Sequence, residues 1–196
     1  MPHSDRILAN KVVVADAGPL IGLARIDRLS LLISLYGSVL VPEIVLAELC
    51  LDSDRPGTRV LSSAHAAGVI QPRPLAQSGD PELDRLCLSL DLGEASAILL
   101  AEHTRCRFLL IDERRGREIA RRRGLPVVGL AGVLLAAKRS ALLDRVEPVL
   151  TELSRQGYRL ADGLVAEVLR LAGEAGPGRC NGTPERNGLV LDTQAP

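Results

Sequence analysis

With 196 residues, the chain is long enough for one domain of ordinary size with a substantial core. Hydrophobic residues make up 46% but aromatics only 2%, so the core is aliphatic, and the aromatic stacking platforms common in single-strand binders are missing. A formal net charge of +0 excludes a generic polyanion binder and leaves any nucleic-acid contact to a local patch.

After a short polar extension (1–10), Lys11-Val-Val-Val-Ala-Asp16-Ala-Gly-Pro-Leu-Ile reads as a buried β-branched strand, about Val12 to Ala15. It ends at Asp16, and Gly18-Pro19 open a helix that runs to Ile26. A second helix, Leu29 to Tyr36, precedes a short strand, Val39 to Val41. Pro42 then takes the first position of the helix Glu43-Ile-Val-Leu-Ala-Glu48-Leu. Leu51 to Gly57 is a polar loop, Arg59 to Ala67 a helix, Val69-Ile70 a small strand, and Gln71 to Asp80 a loop with Pro and Gly.

Helices follow at Pro81 to Leu88 and Gly93 to Glu102. Phe108-Leu-Leu-Ile-Asp112 repeats the pattern of a strand that ends in an acid. A helix from Arg115 to Arg123, a strand at Val127-Val128, and helices at Leu130 to Lys138, Asp144 to Gln156 and Asp162 to Leu171 complete the domain, 11–172. Strands alternating with helices predict an α/β protein whose parallel sheet is covered on both faces. Beyond it, 173–196 is turn-rich and poor in apolar residues, the texture of a disordered tail.

The four cysteines, Cys50, Cys87, Cys106 and Cys180, are far apart and make no C-x-x-C pair. There is no secretory leader pattern and no apolar run of membrane-spanning length, so the expectation is a reduced cytoplasmic protein without a membrane partner. His3, His65 and His103 are scattered, and no Ser-His or Cys-His signature points to a covalent nucleophile.

The acids carry the chemistry, and each also has an ordinary reading. Asp16 and Asp112 could be helix N-caps, Asp112 for the helix that follows it. Asp91 and Glu94 have capping-box spacing, and Glu48 could sit on a solvated helix face. Together, however, two strand-end acids and two helical acids could meet at the carboxyl edge of a parallel sheet, where ligands bind in open α/β folds. Converging carboxylates repel one another unless a cation compensates, and Mg²⁺ or Mn²⁺ suits such oxygen donors.

These residues resemble the PIN-domain superfamily of VapC-like ribonuclease toxins, specifically its bacterial and archaeal DUF3368-type branch. The resemblance runs from about Val12 to Gly173 through Val-Ala-Asp16-Ala-Gly-Pro-Leu-Ile, Val-Pro42-Glu-Ile-Val-Leu-Ala-Glu48-Leu and Leu92-Gly93-Glu94-Ala-Ser-Ala-Ile. Leu-Leu-Ile-Asp112-Glu-Arg-Arg-Gly116-Arg, Gly129-Leu-Ala-Gly132-Val-Leu-Leu-Ala-Ala-Lys138 and Gly157-Tyr-Arg-Leu-Ala-Asp162 continue it.

The resemblance implies a three-layer α/β/α fold with a central parallel sheet. It also implies a Mg²⁺- or Mn²⁺-dependent endoribonuclease of single-stranded RNA, the toxin held by a small antitoxin. Asp16, Glu48, Glu94 and Asp112 match its acidic constellation. Asp16, Glu94 and Asp112 would be metal ligands, with Glu48 acting from behind them or at a second ion. Gly18 departs from the pattern, standing where many relatives carry Ser or Thr, and Glu113 offers an acid that could serve in place of Asp112.

The alternative is a PIN-like module that binds nucleic acid or protein without cleaving. A third reading, a receiver-like domain with a nucleophilic Asp16, needs a lysine partner, for which Lys138 is the candidate.

Arginines crowd the Asp112 region. Arg114, Arg115 and Arg117 are the candidate RNA-phosphate contacts, because guanidinium matches phosphate bidentately. Arg121, Arg122 and Arg123 read as surface residues that complement a helix C-terminus. Aliphatic helix surfaces could also support a homodimer.

Overall fold

The computed structural model describes residues 12–75 and 80–174. The expected extension at 1–10 and the tail from 175 onward lie outside the described residues. Five strands, β1 (Val13–Ala15), β2 (Val39–Pro42), β3 (Ile70–Arg73), β4 (Phe108–Leu110) and β5 (Val127–Val128), form one sheet in the order β3-β2-β1-β4-β5. Every pairing is parallel.

The strand interiors alternate between two cores, as the pleat requires. Val13, Ala15 and Leu110 face one apolar cluster, shared with helices α1 (Ala17–Arg25), α2 (Ser30–Tyr36), α3 (Glu43–Glu48) and α4 (Thr58–Ala66). Helices α8 (Leu130–Arg139), α9 (Glu147–Arg155) and α10 (Asp162–Leu171) also pack into it. Val14, Leu109 and Ile111 face the other cluster, with α5 (Pro81–Cys87), α6 (Leu92–Thr104) and α7 (Arg114–Arg122). The result is the expected three-layer α/β/α architecture. Both cores are aliphatic, and the T-shaped pair of Tyr36 and Phe108 accounts for two of the chain's three aromatics.

Several local expectations need correcting. Pro42 is the last residue of β2 and the N-cap of α3, not its first helical residue. Gln71 to Arg73, expected in a loop, belong to β3. Pro72 is tolerated there because β3 is an edge strand, where a missing N–H goes unpaired at little cost. Helix α9 starts at Glu147, not at Asp144.

The last described residue closes the helical hairpin of α9 and α10. The Glu174 carboxylate accepts the Val146 and Glu147 N–H groups (2.7 and 2.8 Å) at the start of α9, and pairs with Lys138 Nζ (2.5 Å) on α8. These donors hold its carboxyl down at about 2 against the opposing effect of burial. The folded-state value is depressed, so this clasp stabilises the domain fully above the ordinary value of 4.5 and is lost as pH falls toward about 2. Glu174→Ala should therefore cost about 1.5–3 kcal/mol at pH 7 in urea denaturation, as expected for charge-assisted hydrogen bonds. The difference from wild type should shrink on acidification through that window; a difference unchanged down to pH 2 would contradict the assignment.

Candidate metal centre at the carboxyl edge of the sheet

Parallel strands end on the same side, and the residues that follow β1 and β4 meet there. Ala15 is in register with Leu110, and the Asp16 N–H donates to Leu110 O (2.9 Å), which sets Asp16 and Asp112 beside each other in the sheet. Asp16 is only 9% exposed and serves as N-cap of α1, accepting the Gly18 N–H (3.4 Å).

Asp112 does not cap the helix that follows it. Glu113 does so, accepting the Gly116 N–H (2.7 Å). Asp112 instead reaches across to α8 and accepts the Leu130 N–H on both oxygens (3.1 and 3.2 Å). Gly129, the N-cap of α8, has no side chain to do this, so Asp112 caps the helix from another element. A β-carbon at Gly129 would lie 2.5 Å from Arg117 Nη1 and 2.6 Å from Asp112 Oδ1, so any other residue there would make these side chains shift. The Tyr158 hydroxyl also donates to Asp112 Oδ2, and Arg117 Nη1 stands 4.0 Å from Oδ1.

Asp91 and Glu94 form the expected capping box at the start of α6. The Glu94 N–H donates to Asp91 Oδ1 (2.8 Å), and the Asp91 N–H to Glu94 Oε2 (3.4 Å). Glu94 is buried and Asp91 exposed. Glu48, at the end of α3, lays its carboxylate against Gly93, where any β-carbon would collide with it. The structure thus brings all four expected acids to one edge.

Burial raises all four carboxyls above their ordinary range. For Asp16, the charges of Asp91 and Asp112 add to burial; for Glu48, those of Asp16 and Asp91 do. Glu94 is pushed up to about 7 by burial and then by Asp91, Glu113 and Asp16. Asp112 is raised by burial against the opposing effects of Tyr158, Leu130 and Arg117. Asp91 acts on three of these acids, so it belongs to the cluster, although the sequence marked it only as a cap. Tyr158 was visible only inside the Gly157-Tyr-Arg motif; nothing in its spacing pointed to Asp112.

Among the described residues, no three His, Cys, Asp or Glu side chains already stand as a metal-binding group. The donor chemistry nevertheless fits a hard divalent cation. All the donors are carboxylate oxygens in excess of nearby positive charge, and Mg²⁺ typically keeps several waters while using one or two carboxylates.

The arginines separate by role. Arg117 faces Asp112, Arg114 is exposed, and Arg115 donates to Ser89 Oγ (3.0 Å) near Asp91 in the chain. Arg123, expected at the surface, instead pairs with Glu102 (2.7 Å) and Glu82 (3.1 Å), tying α7 to α5 and α6. Lys138 is occupied by Glu174, which removes the lysine that the receiver-like reading required.

A PIN-domain family model, DUF3368, matches residues 12–174. The chain belongs to the PIN-domain family. Among curated proteins, none matches it.

The match covers all five strands, so this PIN domain has a nuclease-type fold. Among the described residues no helix is long and apolar enough to cross a membrane. Two other candidates have ordinary roles: His65 Nδ1 is bonded to Ile70 O (3.0 Å), and burial pushes the Cys106 thiol up to about 11.

The raised Glu94 carboxyl has a thermodynamic signature. The folded state holds the proton more tightly, so metal-free stability falls as pH rises from 4.5 through about 7. Glu94→Gln keeps an acceptor for the capping box and removes the buried charge. Its metal-free form should be about 1–3 kcal/mol more stable than wild type at pH 8, at 1.36 kcal/mol per pH unit with solvent screening discounted. That gain should vanish below pH 4.5 in urea melts; equal stability at pH 8 would show that Glu94 is not strained.

Proposed function

We propose that this PIN domain is a metal-dependent endoribonuclease that hydrolyses phosphodiester bonds of single-stranded RNA. It acts as the toxin of a toxin–antitoxin pair in the cytoplasm, held by a small antitoxin protein. The observation that supports the nuclease reading most strongly is the set of desolvated carboxylates at the sheet edge, with Arg117 as the nearby guanidinium. The toxin role rests on the family resemblance.

Asp16, Glu94 and Asp112 are the residues that would hold Mg²⁺ or Mn²⁺, with Glu48 behind them. When bound, the ion lowers the pKa of an attacking water and offsets charge developing on the phosphoryl oxygens. The chain's own groups do the rest. Glu94 Oε2 accepts the Asp91 N–H, and Asp112 accepts from Leu130 N and Tyr158. Arg117, with Arg114 and Arg115 on the same helix, offers guanidinium to the phosphate backbone.

A second reading, a PIN module that binds RNA without cutting it, draws on two observations. Gly18 supplies no hydroxyl beside Asp16, and both oxygens of Asp112 already accept hydrogen bonds.

Cleavage of a mixed-sequence single-stranded RNA by purified wild type and Asp16→Asn, each with Mn²⁺, Mg²⁺ or EDTA, separates the two. The nuclease reading expects metal-dependent cutting that disappears in the variant and in EDTA. RNA that is bound but intact under every condition leaves the silent module standing. Arg117→Ala should weaken RNA binding across sequences and lower the log-affinity against log-salt slope by about 1, the signature of one lost phosphate contact. An unchanged slope removes Arg117 from the RNA path.

A further inference from the structure

The third aromatic of the chain is placed differently from the other two. Tyr36 and Phe108 pack on each other, with Arg107 over the Tyr36 ring at 5.8 Å. Tyr158 stands apart, in the turn between α9 and α10, and donates its hydroxyl to Asp112 Oδ2.

Its ring has a prepared seat. Gly22 is buried in α1, and a β-carbon there would lie 2.7 and 2.8 Å from Tyr158 ring atoms. Glycine is a poor helix former, so α1 gives up helix propensity at the point where the ring must enter. The hairpin that carries Tyr158 is fastened at its other end by Glu174, through Lys138 of α8 and the start of α9. The seat at Gly22 and the clasp at Glu174 fix the direction in which the phenol approaches. The contact spans 46 residues of sequence.

We propose that Tyr158 is a positioning residue of the acidic centre: seated on Gly22, it orients the Asp112 carboxylate for a divalent cation and makes the α9–α10 hairpin part of the site. This rests on the metal-dependent reading above and adds a residue to it. Asp112 Oδ2 is committed to Tyr158 and Leu130, while Oδ1 accepts, among the described residues, the Leu130 N–H alone and has Arg117 at 4.0 Å, beyond hydrogen-bond reach. Oδ1 is therefore the oxygen left for a cation. Partners that hold a ligating carboxylate in this way typically change metal affinity 10–100-fold when removed, by about as much as they fix the ligand.

The test is Mn²⁺ binding to the full chain, measured by calorimetry or by loss of the free-ion electron paramagnetic resonance signal, with thermal melting alongside. Tyr158→Phe keeps the ring on Gly22 and deletes the hydroxyl. It should bind Mn²⁺ about tenfold more weakly or worse, with its melting temperature close to that of wild type. Gly22→Ala pushes the ring off its seat without touching an acid or the hydroxyl, and should weaken Mn²⁺ in the same direction. A merely structural tyrosine would move the melting temperature and leave the affinity alone.

Unchanged or tighter Mn²⁺ binding by Tyr158→Phe overturns the inference, because the hydroxyl would then be neutral or competing. If wild type itself binds no Mn²⁺, the metal-dependent reading fails and takes this inference with it. If wild type binds and Tyr158→Phe binds equally well, only the inference falls.

Discussion

The pairing of β1 with β4 is the constraint on which the site depends. Val13 opposite Phe108 and Ala15 opposite Leu110 put the two strand ends level, and the Asp16 N–H to Leu110 O bond locks that register. Parallel pairing matters as much as register. It delivers every strand to the same edge and starts the following helices there, so helix N-termini and acids collect together. Asp16 caps α1, Asp91 and Glu94 box the start of α6, Glu113 caps α7, and Asp112 caps α8 from outside. Each N-terminus carries about half a positive charge, so the helices offset part of the repulsion among the acids. Capping and metal binding are therefore not rival explanations for these residues. The caps are how a cluster of buried carboxylates is accommodated in the fold.

Glu48 is the exception that shows the limit of this arrangement. It sits at the last residue of α3, where the helix dipole disfavours an anion, and its carboxyl is raised by burial and by Asp16 and Asp91. Its place is held by shape. Gly93 leaves open the volume that its carboxylate fills, just as Gly129 does for Asp112. Two glycines, one in α6 and one at the N-cap of α8, thus leave room for these carboxylates, and neither carries any chemistry of its own.

Much of this was legible in the sequence, for definite reasons. The apolar runs that end in Asp16 and Asp112 announce two strands whose carboxyl ends carry acids. The Asp91–Glu94 spacing is a local cap that the structure keeps. What could not be read were the contacts made across elements. The sequence offers Asp112 and Glu113 as neighbours before one helix, and only the fold decides that Glu113 caps it while Asp112 turns to Leu130. Pro72 looked like a loop residue because local propensity does not reveal that β3 lies at an edge. Arg123 looked solvated because Glu82 and Glu102 are 41 and 21 residues away. Asp91 and Tyr158 were missed alike, one hidden by its success as a cap and the other by a 46-residue separation.

The charge balance at Asp112 connects the stability of the fold to its chemistry. Without an ion, that carboxylate is held by a helix N–H, a phenol and a guanidinium 4.0 Å away. The first two are hydrogen bonds and are directional. The third is too long for one and acts only through charge. Arg117 is thus the partner of Asp112 that a bound cation would make dispensable, on the metal-dependent reading proposed above. Arg117 itself lies on α7, an amphipathic helix whose start is rich in arginine. The α8 N-terminus and Tyr158 hold Asp112 by hydrogen bonds in which Arg117 has no part, so the carboxylate keeps its place whatever Arg117 faces.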